Sequence, residues 1–75
     1  MPDGLQHLLI GATARRIALG LTQRDVARML GTSQSAISDL ERGAAMPRIT
    51  TLLRYLRALG LGLDLIELRP EVPDA

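Results

Sequence analysis

Short polar side chains recur between residues 33 and 39 at spacings that place them on one side of a helix. Gln34 is followed by Ser35, Ser38 and Asp39, and residues three and four apart are neighbours on a helix surface. Amide, hydroxyl and carboxylate groups of this size can hydrogen-bond to base edges in the major groove of DNA. No bulky side chain interrupts the row, so the pattern predicts a helix that can enter such a groove.

Two short helices joined by a tight turn are predicted to position this polar row. The first is expected over residues 23–30, capped by Thr22, and the second from 34 to about 42, capped by Ser33. Residues 31–33 form the turn, so the segment has a helix-turn-helix layout. The inward-facing residues are Val26, Ala27 and Leu30 on the first helix and Ile37 and Leu40 on the second.

Two further helices are predicted to flank this pair. One begins near Gly4, where Asp3 and Gln6 have the spacing of a capping box, and stops at Gly20. The other runs from about residue 49 to residue 59. Their inward positions are Leu5, Leu8, Leu9, Ala12 and Ile17 on the first and Leu52, Leu53, Leu56 and Leu59 on the last. We therefore predict a mainly α fold, with residues 1–60 as the globular domain.

The composition argues against several classes of protein. The chain has 75 residues and no cysteine, so disulfides and thiolate metal sites are ruled out. No apolar run of about 18 residues could span a membrane. Without the basic start of a signal peptide, the expected location is the cytoplasm. His7 has no second ligand at metal-binding spacing, and no nucleophile–base pair or phosphate-cradling loop is present, so we expect no enzyme, metal or cofactor.

The net charge of +1 conceals a gradient along the chain. Residues 11–60 carry eight arginines against three acidic residues, a net +5, whereas residues 61–75 carry a net −3. A basic body of this kind is typical of domains that bind nucleic acid. The acidic excess lies in the last fifteen residues, which end in a short tail over residues 70–75.

The spacing of the apolar residues changes from a helical period to an alternation of two after residue 60. Apolar residues alternate with small or acidic ones, which predicts a β-strand over residues 61–69, although a short fifth helix is the alternative. A single strand in a helical chain lacks a hydrogen-bonding partner, so a second copy of the chain is expected to supply one. The residues predicted to form this dimer contact are Leu61, Leu63, Leu65, Ile66 and Leu68.

The stretches GLTQ, LGTSQSAIS and LERG resemble the lambda-repressor/Cro-like helix-turn-helix family, also called the XRE family. The resemblance covers residues 16–59 and implies a four-helix DNA-binding domain. It implies that Thr22 and Gln23 grip phosphates and that Gln34 reads adenine. Ser35 and Ser38 match positions that touch bases or backbone. Ser33 matches a helix cap that can also bind phosphate. Arg48 matches a position near the DNA backbone and minor groove.

The resemblance also implies a structural ion pair between Arg16 and Glu41. One departure from the family stands on the reading face, where relatives often carry Arg, Lys, Asn or Gln and this chain has Asp39. Its carboxylate can accept a hydrogen bond from N4 of cytosine. It can equally pair with Arg42 on the same helix surface. Both interpretations are open at this point.

Two functions are compatible with these features. The first is a transcriptional repressor that binds a palindromic operator in double-stranded DNA as a homodimer. The second follows from the last helix and the LGLGLDLIEL stretch, which resemble HipB-like antitoxins with a C-terminal dimerisation strand. Such a protein neutralises a cognate toxin and uses DNA binding to regulate its own operon.

Overall fold

The computed structural model describes residues 3–64, and this part of the chain folds into four helices. They are α1 (Asp3–Ala18), α2 (Gln23–Leu30), α3 (Gln34–Arg42) and α4 (Ile49–Ala58). The mainly α prediction is confirmed, and the bounds of α2 and α3 are those expected from the sequence. Within residues 3–64 no helix is long and apolar enough to cross a membrane.

The ends of α2 and α3 agree with the sequence because local hydrogen bonds define them. Thr22 and Asp25 form a reciprocal capping box: Thr22 Oγ1 accepts from the amide of Asp25 at 3.0 Å, and Asp25 Oδ2 accepts from the amide of Thr22 at 2.8 Å. Ser33 Oγ accepts from the amide of Ala36 at 3.1 Å. Gly31 then ends α2 in the left-handed conformation, with φ 66°.

The core is a single apolar cluster to which all four helices contribute. Ala27 on α2 is 3% exposed, and α2 packs against both α3 and α4. A small side chain at this position lets neighbouring helices approach closely. The buried apolar residues are Leu9, Ala12, Val26, Ala27, Ile37, Leu40, Leu52, Tyr55, Leu56 and Leu59.

The inward face of α1 differs from the predicted one. Ile17 was expected to point inward, but 63% of it is exposed. Arg16 takes the inward position and is only 9% exposed. A buried arginine is tolerated here because its guanidinium is hydrogen-bonded to a buried carboxylate, which apolar periodicity cannot reveal.

Two other arginines hydrogen-bond to the C-terminal ends of neighbouring helices. Arg15 Nε donates to the carbonyl oxygen of Leu59 at 3.2 Å, and Arg54 Nη2 donates to that of Leu30 at 2.6 Å. The last carbonyls of a helix have no partner within it, so these contacts satisfy acceptors that the ends of α4 and α2 would otherwise leave unpaired. Arg54 therefore links α4 to α2.

Residues 61–64 have no regular secondary structure. Leu61 packs against the core of its own chain, and its amide donates to the carbonyl oxygen of Leu56 at 2.8 Å. Leu63 is 48% exposed. The rest of the predicted strand or fifth helix, with Leu65, Ile66 and Leu68, lies outside the described residues.

Replacing Gly31 by alanine is expected to lower the free energy of unfolding by about 1 kcal/mol, because a Cβ atom is strained in the left-handed conformation. An added Cβ atom would have no neighbour within 4 Å, so the backbone conformation alone decides the effect. Gly11 is the matched control, since it has equally open surroundings but lies inside α1. Gly11→Ala should raise stability by about 0.5–1 kcal/mol. Urea unfolding at one protein concentration measures the stability of both variants. Changes of the same sign in the two unfolding free energies would contradict this account.

Candidate nucleic-acid interface

The beginning of α2 and the exposed side of α3 meet in a shallow, open depression on the surface. The side chains that line it are Gln23, Gln34, Ser35, Ser38 and Asp39. All five were singled out from the sequence, and the fold brings them together. Four come from successive turns of α3, and Gln23 joins them because the turn at residues 31–33 folds α2 back against α3.

Beneath this depression lies a buried hydrogen-bond network centred on Glu41. Arg16 donates to it twice, with Nε 2.7 Å from Oε2 and Nη2 3.0 Å from Oε1. The hydroxyl of Tyr55 donates to Oε2 at 2.5 Å, and Nε2 of Gln23 donates to Oε1 at 3.0 Å. Arg16 Nη1 also donates to the carbonyl oxygen of Leu21 at 2.8 Å. The Arg16–Glu41 pair expected from the family resemblance is therefore present in the fold, and its geometry is bidentate.

The network changes the acid–base properties of its members. Burial raises the pKa of Glu41, but the hydrogen bonds from Arg16, Tyr55 and Gln23 outweigh burial and hold that pKa below its usual value. Burial and the neighbouring carboxylate raise the pKa of Tyr55, so the hydroxyl keeps its proton and remains a donor. The hydrogen bond to Glu41 raises the pKa of Arg16. The carboxylate is consequently ionised and paired at neutral pH.

Gln23 connects the network to the surface. Its side chain lines the depression, while its amide nitrogen donates to Glu41 in the interior. A glutamine amide has both donor and acceptor atoms. Because the donor side is bound to Glu41, the orientation of the amide is set by the core rather than by solvent.

Asp39 and Arg42 form an ion pair along the exposed side of α3. Arg42 Nη2 donates to Asp39 Oδ1, and the two side chains are 64% and 56% exposed. Of the two interpretations of Asp39, the structure contains the pairing with Arg42. The carboxylate also lines the depression, so the pairing does not remove it from the face that carries Gln34.

Arg24 contacts this face as well, although no role was predicted for it from the sequence. Its Nη2 lies 3.5 Å from Oε1 of Gln34. The two residues are ten positions apart and lie on different helices, so no helical spacing indicates the contact. Only the crossing of α2 and α3 brings the second residue of one helix beside the first residue of the other.

The remaining predicted residues surround the depression. Thr22 and Ser33 are exposed and stand just before α2 and α3, where the helix dipole favours anions. Arg48 is exposed immediately before α4 and lines a second groove together with Asp39 and Met46. Within residues 3–64 no group of three or more His, Cys, Asp or Glu side chains could hold a metal ion.

Four helices with a polar row on α3 and capped amides on α2 define a helix-turn-helix DNA-binding domain. A family model described as "Helix-turn-helix" matches residues 13–66. The chain thus belongs to the XRE-type helix-turn-helix family. The resemblance seen in the sequence is confirmed.

Curated relatives are named as transcriptional regulators. The HTH-type transcriptional regulator PuuR of Escherichia coli (strain K12) is 42% identical over 55 residues, which cover 73% of this chain and 30% of PuuR. An uncharacterized HTH-type regulator, y4dJ of Sinorhizobium fredii, is 37% identical over 68 residues and matches 87% of this chain and 88% of its own length. A third, from Haemophilus influenzae, is 35% identical over 54 residues, or 72% of this chain and 55% of the relative. No solved structure gives a significant match.

Replacing Tyr55 by phenylalanine is expected to lower the free energy of unfolding at neutral pH by about 1–2 kcal/mol, because an ionised acceptor loses a donor. The folded-state pKa of Glu41 lies below its usual value. The pairing therefore stabilises the fold fully at pH values above the usual, unfolded-state pKa. This stabilisation is lost as the pH falls through the folded-state pKa. The effect of Tyr55→Phe should therefore be full at neutral pH and shrink as the pH falls below the usual glutamate pKa of about 4.3 and through the lower folded-state pKa of Glu41.

Urea unfolding at neutral pH and at an acidic pH measures this difference. Ser35→Ala is the control, since its side chain is exposed and belongs to the depression rather than to the buried network. An equal loss of stability at both pH values would contradict an ionised acceptor at Glu41.

Proposed function

We propose that this protein is a sequence-specific transcriptional repressor that binds a palindromic operator as a homodimer. The observation that carries the proposal is the row of polar side chains on α3, which lines an open depression while the other side of the same helix is buried. A helix of this kind can enter the major groove with its first residues against base edges. The named relatives are HTH-type transcriptional regulators, which supports DNA binding in transcriptional regulation as the activity of this chain.

Each polar residue has a role that its chemistry suits. The amide of Gln34 can donate to N7 and accept from N6 of adenine. Ser35 and Ser38 can bind bases or phosphates, and Asp39 can accept from N4 of cytosine while Arg42 stays beside it. Specificity then comes from this short row and from the shape of the DNA.

Contacts with DNA phosphates are expected on either side of the base contacts. Thr22, Gln23 and Ser33 lie at helix N-termini, where backbone amides and the helix dipole attract anions. Arg48 extends the contact to the start of α4. These groups carry little sequence information, but they orient α3 in the groove.

A second copy of the chain would complete the binding unit. Leu63 is 48% exposed at the end of the described part of the chain, where an apolar side chain gains by being covered. We propose that residues 61–69 pair with the same residues of the second copy. Two recognition helices related by a two-fold axis would read half-sites about 34 Å apart.

The second candidate function combines the same DNA-binding site with a separate surface for a protein partner. Ile10 and Ile17 on α1 are 60% and 63% exposed and lie seven residues apart, on the same side of the helix. A protein partner that covered these two side chains would remove apolar area from water. In an antitoxin this surface would hold the cognate toxin, and DNA binding would control the operon that encodes both.

The proposed function is tested by a footprint on the DNA upstream of the gene. We expect two protected half-sites and an affinity that falls with salt. Gln34→Ala should cost about 1–3 kcal/mol at a single base pair of each half-site. The comparison variant Arg48→Ala should weaken binding to all sequences alike. Absence of salt-dependent binding to any duplex would overturn the proposal.

The dimer is tested separately by Leu63→Asp. A charge in the middle of an apolar contact between two copies is expensive to bury, so light scattering should report a monomer. Leu19→Asp is the matched control, because Leu19 is 44% exposed but lies outside the proposed contact. If Leu63→Asp remains a dimer, the two copies do not associate through residues 61–69.

A further inference from the structure

An arginine of α2 lies against the first residue of the recognition helix. Arg24 Nη2 is 3.5 Å from Oε1 of Gln34, and both side chains are exposed. The preceding residue, Gln23, is bound to Glu41 instead. The beginning of α2 therefore presents the guanidinium of Arg24 to Gln34, next in sequence to an amide that the buried network holds.

The contact selects one orientation of the Gln34 amide. A guanidinium has donors only, whereas a glutamine amide has an acceptor oxygen at one end and a donor nitrogen at the other. If the amide turned over, its NH₂ group would face another donor. Arg24 therefore favours the orientation in which the carbonyl oxygen points towards α2, and the second lone pair of that oxygen remains able to accept a hydrogen bond from DNA.

A fixed amide discriminates between the two purines. Adenine offers an N6 donor and an N7 acceptor, whereas guanine offers two acceptors, O6 and N7. With its carbonyl oxygen held beside Arg24, Gln34 complements adenine, whose N6 can donate to that oxygen and whose N7 can accept from the NH₂ group, whereas guanine offers the oxygen no donor. We infer that Arg24 is a positioning residue that makes Gln34 select adenine over guanine, an inference that rests on the proposed function.

Arg28 provides a matched control for Arg24. It lies one turn further along α2, is exposed and carries the same charge, but its Nη2 is 2.8 Å from Oδ1 of Asp25 rather than near Gln34. Removing either arginine subtracts one positive charge from α2. Only the removal of Arg24 releases the Gln34 amide.

The test compares the wild-type chain with Arg24→Ala and Arg28→Ala by selection from a randomised duplex library. We expect the preference for adenine over guanine at the pair read by Gln34 to fall about two- to fivefold in Arg24→Ala, a range typical of exposed charged contacts. Arg28→Ala should keep the preference. Equal, sequence-independent losses in both variants would overturn the inference while leaving the proposed function intact, whereas no selection by the wild-type chain would overturn the proposed function itself.

The double variant Arg24→Ala/Gln34→Ala separates positioning from direct reading. If Arg24 acts through Gln34, its removal should not change base preference further once Gln34 is alanine. A further change in that background would mean that Arg24 contacts the base itself, and the positioning role would be wrong. Circular dichroism of each variant checks that the helices are intact.

Discussion

The carboxylate of Glu41 lies on α3 and binds a residue from each of the other three helices. Arg16 reaches it from α1, Gln23 from α2 and Tyr55 from α4. An ionised carboxylate whose side chain is only 5% exposed is costly unless it is fully paired. Removal of one charged partner from such a pair typically costs about 3–5 kcal/mol, a large part of the stability of a domain this small. The network therefore restricts how the four helices can be arranged.

This restriction has a direct consequence for the polar row on α3. Glu41 lies in the last turn of α3, and Ile37 and Leu40 are buried on the same side. With that side held inside, the helix cannot rotate, and Gln34 and Ser38 line the exposed depression. Gln23 belongs to both regions, since it binds the buried carboxylate and borders the surface. The polar row is positioned from within the core.

The arginines show why net charge describes this chain poorly. Arg16 is enclosed in the interior, and Arg15 and Arg54 bind helix carbonyls. Arg24 and Arg42 lie on the side of the molecule that carries the polar row, each hydrogen-bonded to a residue of α3. A guanidinium has several donors in one plane, so the same residue type can serve as an ion-pair partner, a helix cap and a hydrogen-bond donor to a surface side chain.

The sequence by itself determined the two central helices, because their limits depend on contacts between residues three or four apart, such as those of Thr22 and Ser33 with the amides they cap. It also indicated the polar row, since helical spacing defines a face. It misplaced Ile17 and did not assign Arg24 a role. Both depend on contacts between helices. Arg16 replaces Ile17 in the interior because it binds the buried carboxylate of Glu41, which is 25 positions away along the chain. Arg24 contacts Gln34 across the turn between α2 and α3. Only the packing of α1, α2 and α3 decides which distant side chains become neighbours, and hydrogen bonds between such residues follow no sequence period.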